Sequence, residues 1–185
     1  MSHLKNTPIR NQSDEIDYGL IQEELSSENV SIHELHEYYF EIIKDRSNER
    51  NKTLRSIGYY LENSILYSKE TKRYIDEIWF SSAKLGLSNF TSSIIKYKNF
   101  NINIVDPNKN TAIIIAAQNN RQQVIEKLLE KNNIKINKTN KKGYNAIEIA
   151  FISNHNDMVK ILRKYGAHPS FLRHPRLWFQ IKRGE

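Results

Sequence analysis

The sequence predicts an all-α chain: a short solenoid of stacked helix pairs flanked by a helical N-terminal part and a basic tail. Three observations predict it. Residues 71 to 170 resemble themselves at a shift of 34, the mark of a repeat array. Apolar residues ahead of that stretch recur at helical spacing. The segments joining one helix pair to the next, NINIVDPNKN (101–110) and IKINKTNKKG (134–143), alternate Ile with polar residues, which suits an extended turn arm.

The elements follow in order. Residues 1–30 mix Asn, Ser, Gln and Glu with isolated apolar residues and sustain no period, so they read as a flexible or loosely docked arm. From Ser31 a helix is expected to about residue 46. Ile32, Leu35, Tyr39, Ile42 and Ile43 share a face, and Ser31 with Glu34 forms a capping box. Polar residues 45–52 serve as a connection, and a second helix carries Leu54, Ile57, Tyr60, Leu61, Ile65 and Leu66 on one stripe. Residues 31–70 are thus either a helical cap or an eroded repeat.

Beyond residue 70 the shift of 34 sets the register. Ser82-Ala83, Ala116-Ala117 and Ala150-Phe151 superpose, as do Phe90, Val124 and Met158, then Ile94, Leu128 and Leu162, and Asn103 with Asn137. Each unit reads as a helix with small residues, a tight turn at Gly86, Asn119-Asn120 or Asn154, a second helix and a polar arm.

On these residues the chain resembles the ankyrin-repeat family, whose long β-turn connections separate it from tetratricopeptide arrays of similar period. Residues 106–117, DPNKNTAIIIAA, place Asp106, Thr111, Ile113, Ala116 and Ala117 on the family pattern. Residues 140–151 place Gly143, Ile147 and Ala150 there, and His155 falls on the family's His after the inter-helix turn. Gly166-Ala167-His168-Pro169 closes the last helix. Units of about 72–105, 106–139 and 140–170 follow, the first degenerate because EIWFSSA (77–83) stands where T-P-L-H-x-A-A would be. Lys109 replaces a turn glycine, Ala112 and Ala146 replace proline, and Asn132-Asn133 carries a one-residue insertion, so a drifted and less stable array is expected.

Composition narrows the function classes. With no cysteine, disulfides, thiolate metal sites and a cysteine nucleophile are excluded. No signal-peptide core or membrane-length apolar window occurs, so a cytoplasmic protein is expected, or one delivered into a host cell by a route that needs no signal. The net charge of +7 is uneven: 1–70 holds 8 basic and 13 acidic side chains, 71–185 holds 20 and 8. His33 and His36 are one residue short of H-E-x-x-H and read as exposed helix residues. His155 reads as a hydrogen-bonding residue at its turn. No phosphate loop, carboxylate pair or nucleophile elbow appears, so neither an enzyme nor a cofactor nor a metal is expected.

The resemblance implies binding of a protein partner through hairpin tips and the concave face of the first helices. Carried over, those positions are Asn108, Asn110, Gln118 and Asn119 in one unit, then Lys141, Lys142, Tyr144, Ile152 and Ser153 in the next. Tyr144 reads as the best single anchor, and the Lys pair as steering an acidic partner. The tail 171–185 reads either as a cap, with Phe171, Leu172 and Trp178 covering the last repeat, or as a docking element of Arg173, Arg176, Trp178 and Phe179. Ile, Asn and Lys make up 64 of 185 residues, an AT-rich codon bias. In such genomes the family's habit implies an effector aimed at host proteins. The alternatives are an inhibitor or immunity-like protein that blocks an enzyme, and a basic nucleic-acid or membrane adaptor, with nucleic acid disfavoured because charge alone supplies only non-specific binding.

Overall fold

A computed structural model describes residues 10–11, 13, 15–27, 30–45, 47, 49–63, 71–96, 100–170 and 172–183, the side chains of 61–63 apart. Among them lie ten helices and no strand beyond one bridge between Arg10 and Ile16. The chain divides into two compact units, Met1–Ile78 with Lys96–Lys98, and Trp79–Ile95 with Asn99–Glu185.

The first unit contains α1 (Tyr18–Ser26), α2 (Ile32–Ile42), α3 (Glu49–Asn63) and the opening turns of α4 (Lys72–Leu85). Both α1 and α2 pack on α3. Its core is Ile21, Leu25, Leu35, Tyr38, Tyr39, Ile42, Leu54, Ile57 and Ile75, all buried. The Ser31/Glu34 box forms with both bonds, 3.2 Å from Glu34 N–H to the Ser31 hydroxyl and 2.8 Å from Ser31 N–H to the Glu34 carboxylate.

Helix α1 corrects the expectation of an arm over 1–30. Asp17 caps it by accepting from Leu20 N–H at 2.9 Å, and Ile21 and Leu25 bury on one side. Two buried positions four apart are too few to declare a period, which is why the sequence hid it. Gln22 anchors α1 to α3 by accepting from the Ser56 hydroxyl at 2.9 Å. Two boundaries also move: α2 stops at Ile42 and α3 starts at Glu49, inside the expected connection. Leu61, Ile65 and Leu66 of the expected stripe, and Phe171 of the tail, lie outside the described side chains.

In the second unit the period becomes geometry. It holds the end of α4, α5 (Ser88–Lys96), α6 (Ala112–Gln118), α7 (Gln122–Leu129), α8 (Ala146–Ile152), α9 (Asn156–Lys164) and α10 (Pro175–Arg183). Three residues 34 apart, Gly86, Asn120 and Asn154, take φ of 84°, 53° and 58° at the turns between paired helices. The residue after each donates its N–H to the carbonyl of Ser82, Ala116 or Ala150, at 3.0, 2.8 and 2.9 Å. Each left-handed residue reverses the chain and satisfies a carbonyl that a helix end leaves open.

Ala116 and Ala150 are fully buried where α6 packs on α8, while Val124, Leu128, Met158 and Leu162 form the layer beneath. Leu129 and Ile161 are only half-buried. A small side chain at each helix crossing lets backbones approach, and burying each Leu contributes about 2 kcal/mol. His155 donates Nδ1–H to the Ala117 carbonyl at 3.0 Å, tying one repeat to the previous one. Arg121, at the same register, donates Nε–H to the Lys84 carbonyl at 2.8 Å.

Asn103 and Asn137 are matched braces between neighbouring arms. Asn103 donates to the Asn133 carbonyl at 2.8 Å and accepts from Lys135 N–H at 2.7 Å. Asn137 bonds the Gly166 carbonyl at 3.4 Å and His168 N–H at 3.0 Å. The donors are 34 apart but their partners 33 apart, the trace of the inserted residue at Asn132-Asn133.

Lys109 is the strained member of the array. Its φ of 60° matches the 86° of Gly143 one repeat later, yet it carries a Cβ. An L residue there costs about 1–2 kcal/mol, part of which a glycine returns through its freer unfolded chain. Lys109→Gly is expected to raise the thermal midpoint by about 2 °C, while Lys109→Ala leaves it unchanged. Equal midpoints for both variants in a melt followed by circular dichroism would refute strain at this turn.

Candidate protein-binding surface

The hairpin tips are built from the Asx residues at their first position. Asp106 accepts from the N–H groups of Asn108 and Asn110 at 2.9 and 2.7 Å, and from the Asn110 amide at 2.9 Å. Asn140 repeats this, accepting from Lys142 N–H at 3.0 Å and Tyr144 N–H at 3.1 Å. Adjacent tips are then laced together. Lys141 N–H donates to the Asn108 carbonyl at 2.8 Å, and the Asn140 amide donates to Asn110 Oδ1 at 3.0 Å. Short polar side chains that bond their own backbone make a loop rigid without a core.

Those bonds sort the sequence-derived residues. Asn108, Gln118, Lys141 and Lys142 stand exposed; Asn110 and Asn119 are half-buried, Asn119 because its amide donates to the Ile115 carbonyl at 2.8 Å. Ile152 is 51% exposed beside half-buried Ser153 at the end of α8. Lys141 and Lys142 make no ion pair with any described residue, whereas Lys127 and Lys160 on the second helices pair with Glu130 and Asp157 at 2.8 and 2.9 Å.

Tyr144, the expected anchor, does not stand alone. It is half-buried, its ring stacked on His174 with centroids 4.2 Å apart and planes 17° off parallel. The tail reaches it because Ser170 and His168 are fastened to the start of α8: Ser170 N–H donates to Glu148 at 2.9 Å, and the Asn145 amide donates to the His168 carbonyl at 2.8 Å. Arg173 Nη1 then donates to the Thr139 hydroxyl at 3.2 Å.

Helix α10 packs on α8 and buries Ile181, with Leu177 and Trp178 half-buried. Covering by Leu172 is corrected, since that side chain is 92% exposed; Ile181 is the buried residue of the helix. Phe179 stays 50% exposed, edge-on to Trp178 at 5.1 Å, and Lys182 lies 5.9 Å from the Trp178 ring centre. Arg173 and Arg176 are exposed. Sequence reading kept the tail apart from the tips. The signal that joins them was present: His174 is 34 residues after Asn140, which is 34 after Asp106.

The first unit holds an open groove of about 880 Å³ between α2 and the start of α4, floored by His36, Phe40 and Tyr74. His36 is not the exposed residue expected. Its side chain is 19% exposed and Nε2 lies 2.8 Å from the Glu77 carboxylate, which also accepts from Arg73 at 3.0 Å. Burial opposes ionisation of Glu77, but the bonds from Arg73 and His36 outweigh it and hold the carboxyl below its ordinary range. Glu41 is likewise held low, chiefly by the Lys44 ammonium and then by Arg10, against the pull of burial. The groove's charges are therefore engaged with one another. Among the described residues no cluster of His, Asp and Glu has the geometry to hold a metal ion, and no helix is long and apolar enough to cross a membrane.

Against known proteins, the family model for ankyrin repeats, three copies, matches residues 80–171. No curated protein is found to match the chain in sequence. Among solved structures, the ankyrin-repeat protein EF0377 is similar, with a TM-score of 0.59 and 16% identity over 83% of this chain and 80% of that one. Such low identity speaks for the fold alone. The match covers the segment in which turn residues, tip Asx residues and arm asparagines recur in register, and through that array the chain belongs to the ankyrin-repeat family.

Proposed function

We propose that the chain is a binding module that docks an acidic surface of another protein through its hairpin tips. Ankyrin repeats generally mediate protein–protein interaction and are typically non-enzymatic. The observation that carries the acidic partner is the pair Lys141-Lys142, exposed on a tip whose backbone is locked by Asn140 and free of any ion pair to a described residue. Preorganised cations on a rigid loop raise the encounter rate with an acidic partner and lose little entropy on docking. Asn108, bonded to Lys141, adds exposed polar contact at the tips, and Gln118 and Ile152 stand exposed at the far ends of α6 and α8.

The lack of cysteine suits a partner met in a reducing compartment, and by the family's habit in AT-rich genomes that partner is a host protein bound by an effector. The test is capture from host lysate by wild type, by Lys141→Glu/Lys142→Glu and by Lys131→Glu/Lys164→Glu, two exposed cations away from the tips. The tip variant is expected to lose the captured protein by tenfold or more, about 1.4 kcal/mol or above, and the other to keep it. Equal capture by all three would refute the tip assignment.

A further inference from the structure

We propose that the tail and the tips form one surface: a cationic ridge of Lys109, Lys141, Lys142, Arg173 and Arg176 that takes an extended acidic segment of the partner. This rests on the tip-binding reading above and extends it past the last repeat.

The repeat register carries the argument. Asp106, Asn140 and His174 stand 34 residues apart, each opening a tip position. Between the first two, the Asn140 amide bonds Asn110 at 3.0 Å; between the next two, His174 stacks on Tyr144, the register equivalent of Asn110, at 4.2 Å. The tail thus places its first residues as a further tip would. Pro175 falls on the register of Lys141, whose N–H makes the tip-to-tip bond. Proline has no N–H to donate, so the ladder of tips ends there and the chain turns into α10.

Charge says what fits. All five cations are exposed, and none forms an ion pair with a described residue. The carboxylate nearest them in the tips, Asp106, is occupied by three N–H donors. From residue 158 to 184 the sequence holds no acid. Cations set out one tip after another match carboxylates along an extended strand, each pair contributing little and the row contributing together. Tyr144 and His174 are stacked on each other, which disfavours single-stranded nucleic acid, whose bases need open rings.

The probe is fluorescein-labelled octaglutamate, with octaserine as control, followed by anisotropy at low salt on the full chain. Wild type is expected to bind octaglutamate and not octaserine. Lys141→Ala/Lys142→Ala and Arg173→Ala/Arg176→Ala should each weaken binding about fivefold or more, Lys131→Ala/Lys164→Ala less than about twofold. Arg173→Lys/Arg176→Lys, which keeps the charge, should bind as wild type, separating charge from any damage to the tail's packing. Loss in the tip variant alone would overturn the composite ridge while leaving tip binding intact. No loss in either, relative to the Lys131/Lys164 control, would overturn both. Displacement of the peptide by phosphatidylserine vesicles or oligothymidine, at lower charge concentration than free octaglutamate requires, would overturn the acidic-peptide occupant.

Discussion

Glu148→Ala is expected to destabilise the second unit by about 2–4 kcal/mol and to lower its thermal midpoint by about 5–15 °C. Glu148 is completely buried near the start of α8. One carboxylate oxygen accepts from Asn145 N–H and the other from Ser170 N–H, each at 2.9 Å, so both lone-pair faces are used on backbone. Alanine leaves the buried Asn145 N–H and the half-buried Ser170 N–H without acceptors, and a fully buried orphan costs about 1–3 kcal/mol. The loss spreads because Asn145, whose side chain accepts from Glu148 N–H at 3.2 Å, also holds the His168 carbonyl. Glu148→Gln retains one acceptor and is expected to cost about half as much. Amide exchange supplies the local check: Asn145 and Ser170 should lose protection in the alanine variant. Protected amides with a midpoint within about 2 °C of wild type would show that other groups satisfy them.

The preceding repeat shows what such a cap is worth by lacking it. At the register of Glu148 stands Ile114, and Thr111 makes no side-chain cap bond; its buried hydroxyl finds no partner among the described residues. That repeat instead buries every residue from Ala112 to Ala117. Two neighbouring repeats thus open their first helix by different means, one with an apolar start and one with a buried polar box.

Where the sequence repeats, the structure was legible. Gly86, Asn120 and Asn154 could be placed at turns because a left-handed residue must recur once per unit, and His155 could be placed at its turn for the same reason. Periodicity failed where an element is short or used once. Helix α1 buries only Ile21 and Leu25, so it presents no stripe that hydropathy can detect. Pairing across sequence distance was equally hidden: His36 meets Glu77 across 41 residues, and only folding turns an isolated histidine into a partner. The tip surface was half legible. Lys141 and Lys142 are where the family pattern puts them, but Tyr144 is stacked on a tail residue that no local pattern assigns to it.

Trp79→Ala is expected to cost about 3–5 kcal/mol, for a reason that also explains why the first repeat is hard to read. Trp79 lies 34 residues before Ile113 and 68 before Ile147, so a fully buried indole occupies the position that later repeats fill with isoleucine. The extra volume is met by Phe100, edge-on at 4.9 Å between centroids and 70° between planes, where the next repeat has half-buried Ile134. Large has been matched with large, so a motif that compares residue types sees decay where packing is intact. The indole has a flaw, however: its buried Nε1–H finds no acceptor among the described residues. Removing an unsatisfied donor recovers part of what a lost contact costs. Trp79→Phe should therefore cost only about 1 kcal/mol, and Trp79→Ile, which leaves Phe100 facing a void, should fall between phenylalanine and alanine. Urea unfolding of the three variants orders them. If phenylalanine is as damaging as alanine, an acceptor for the indole exists and the packing account of the first repeat fails.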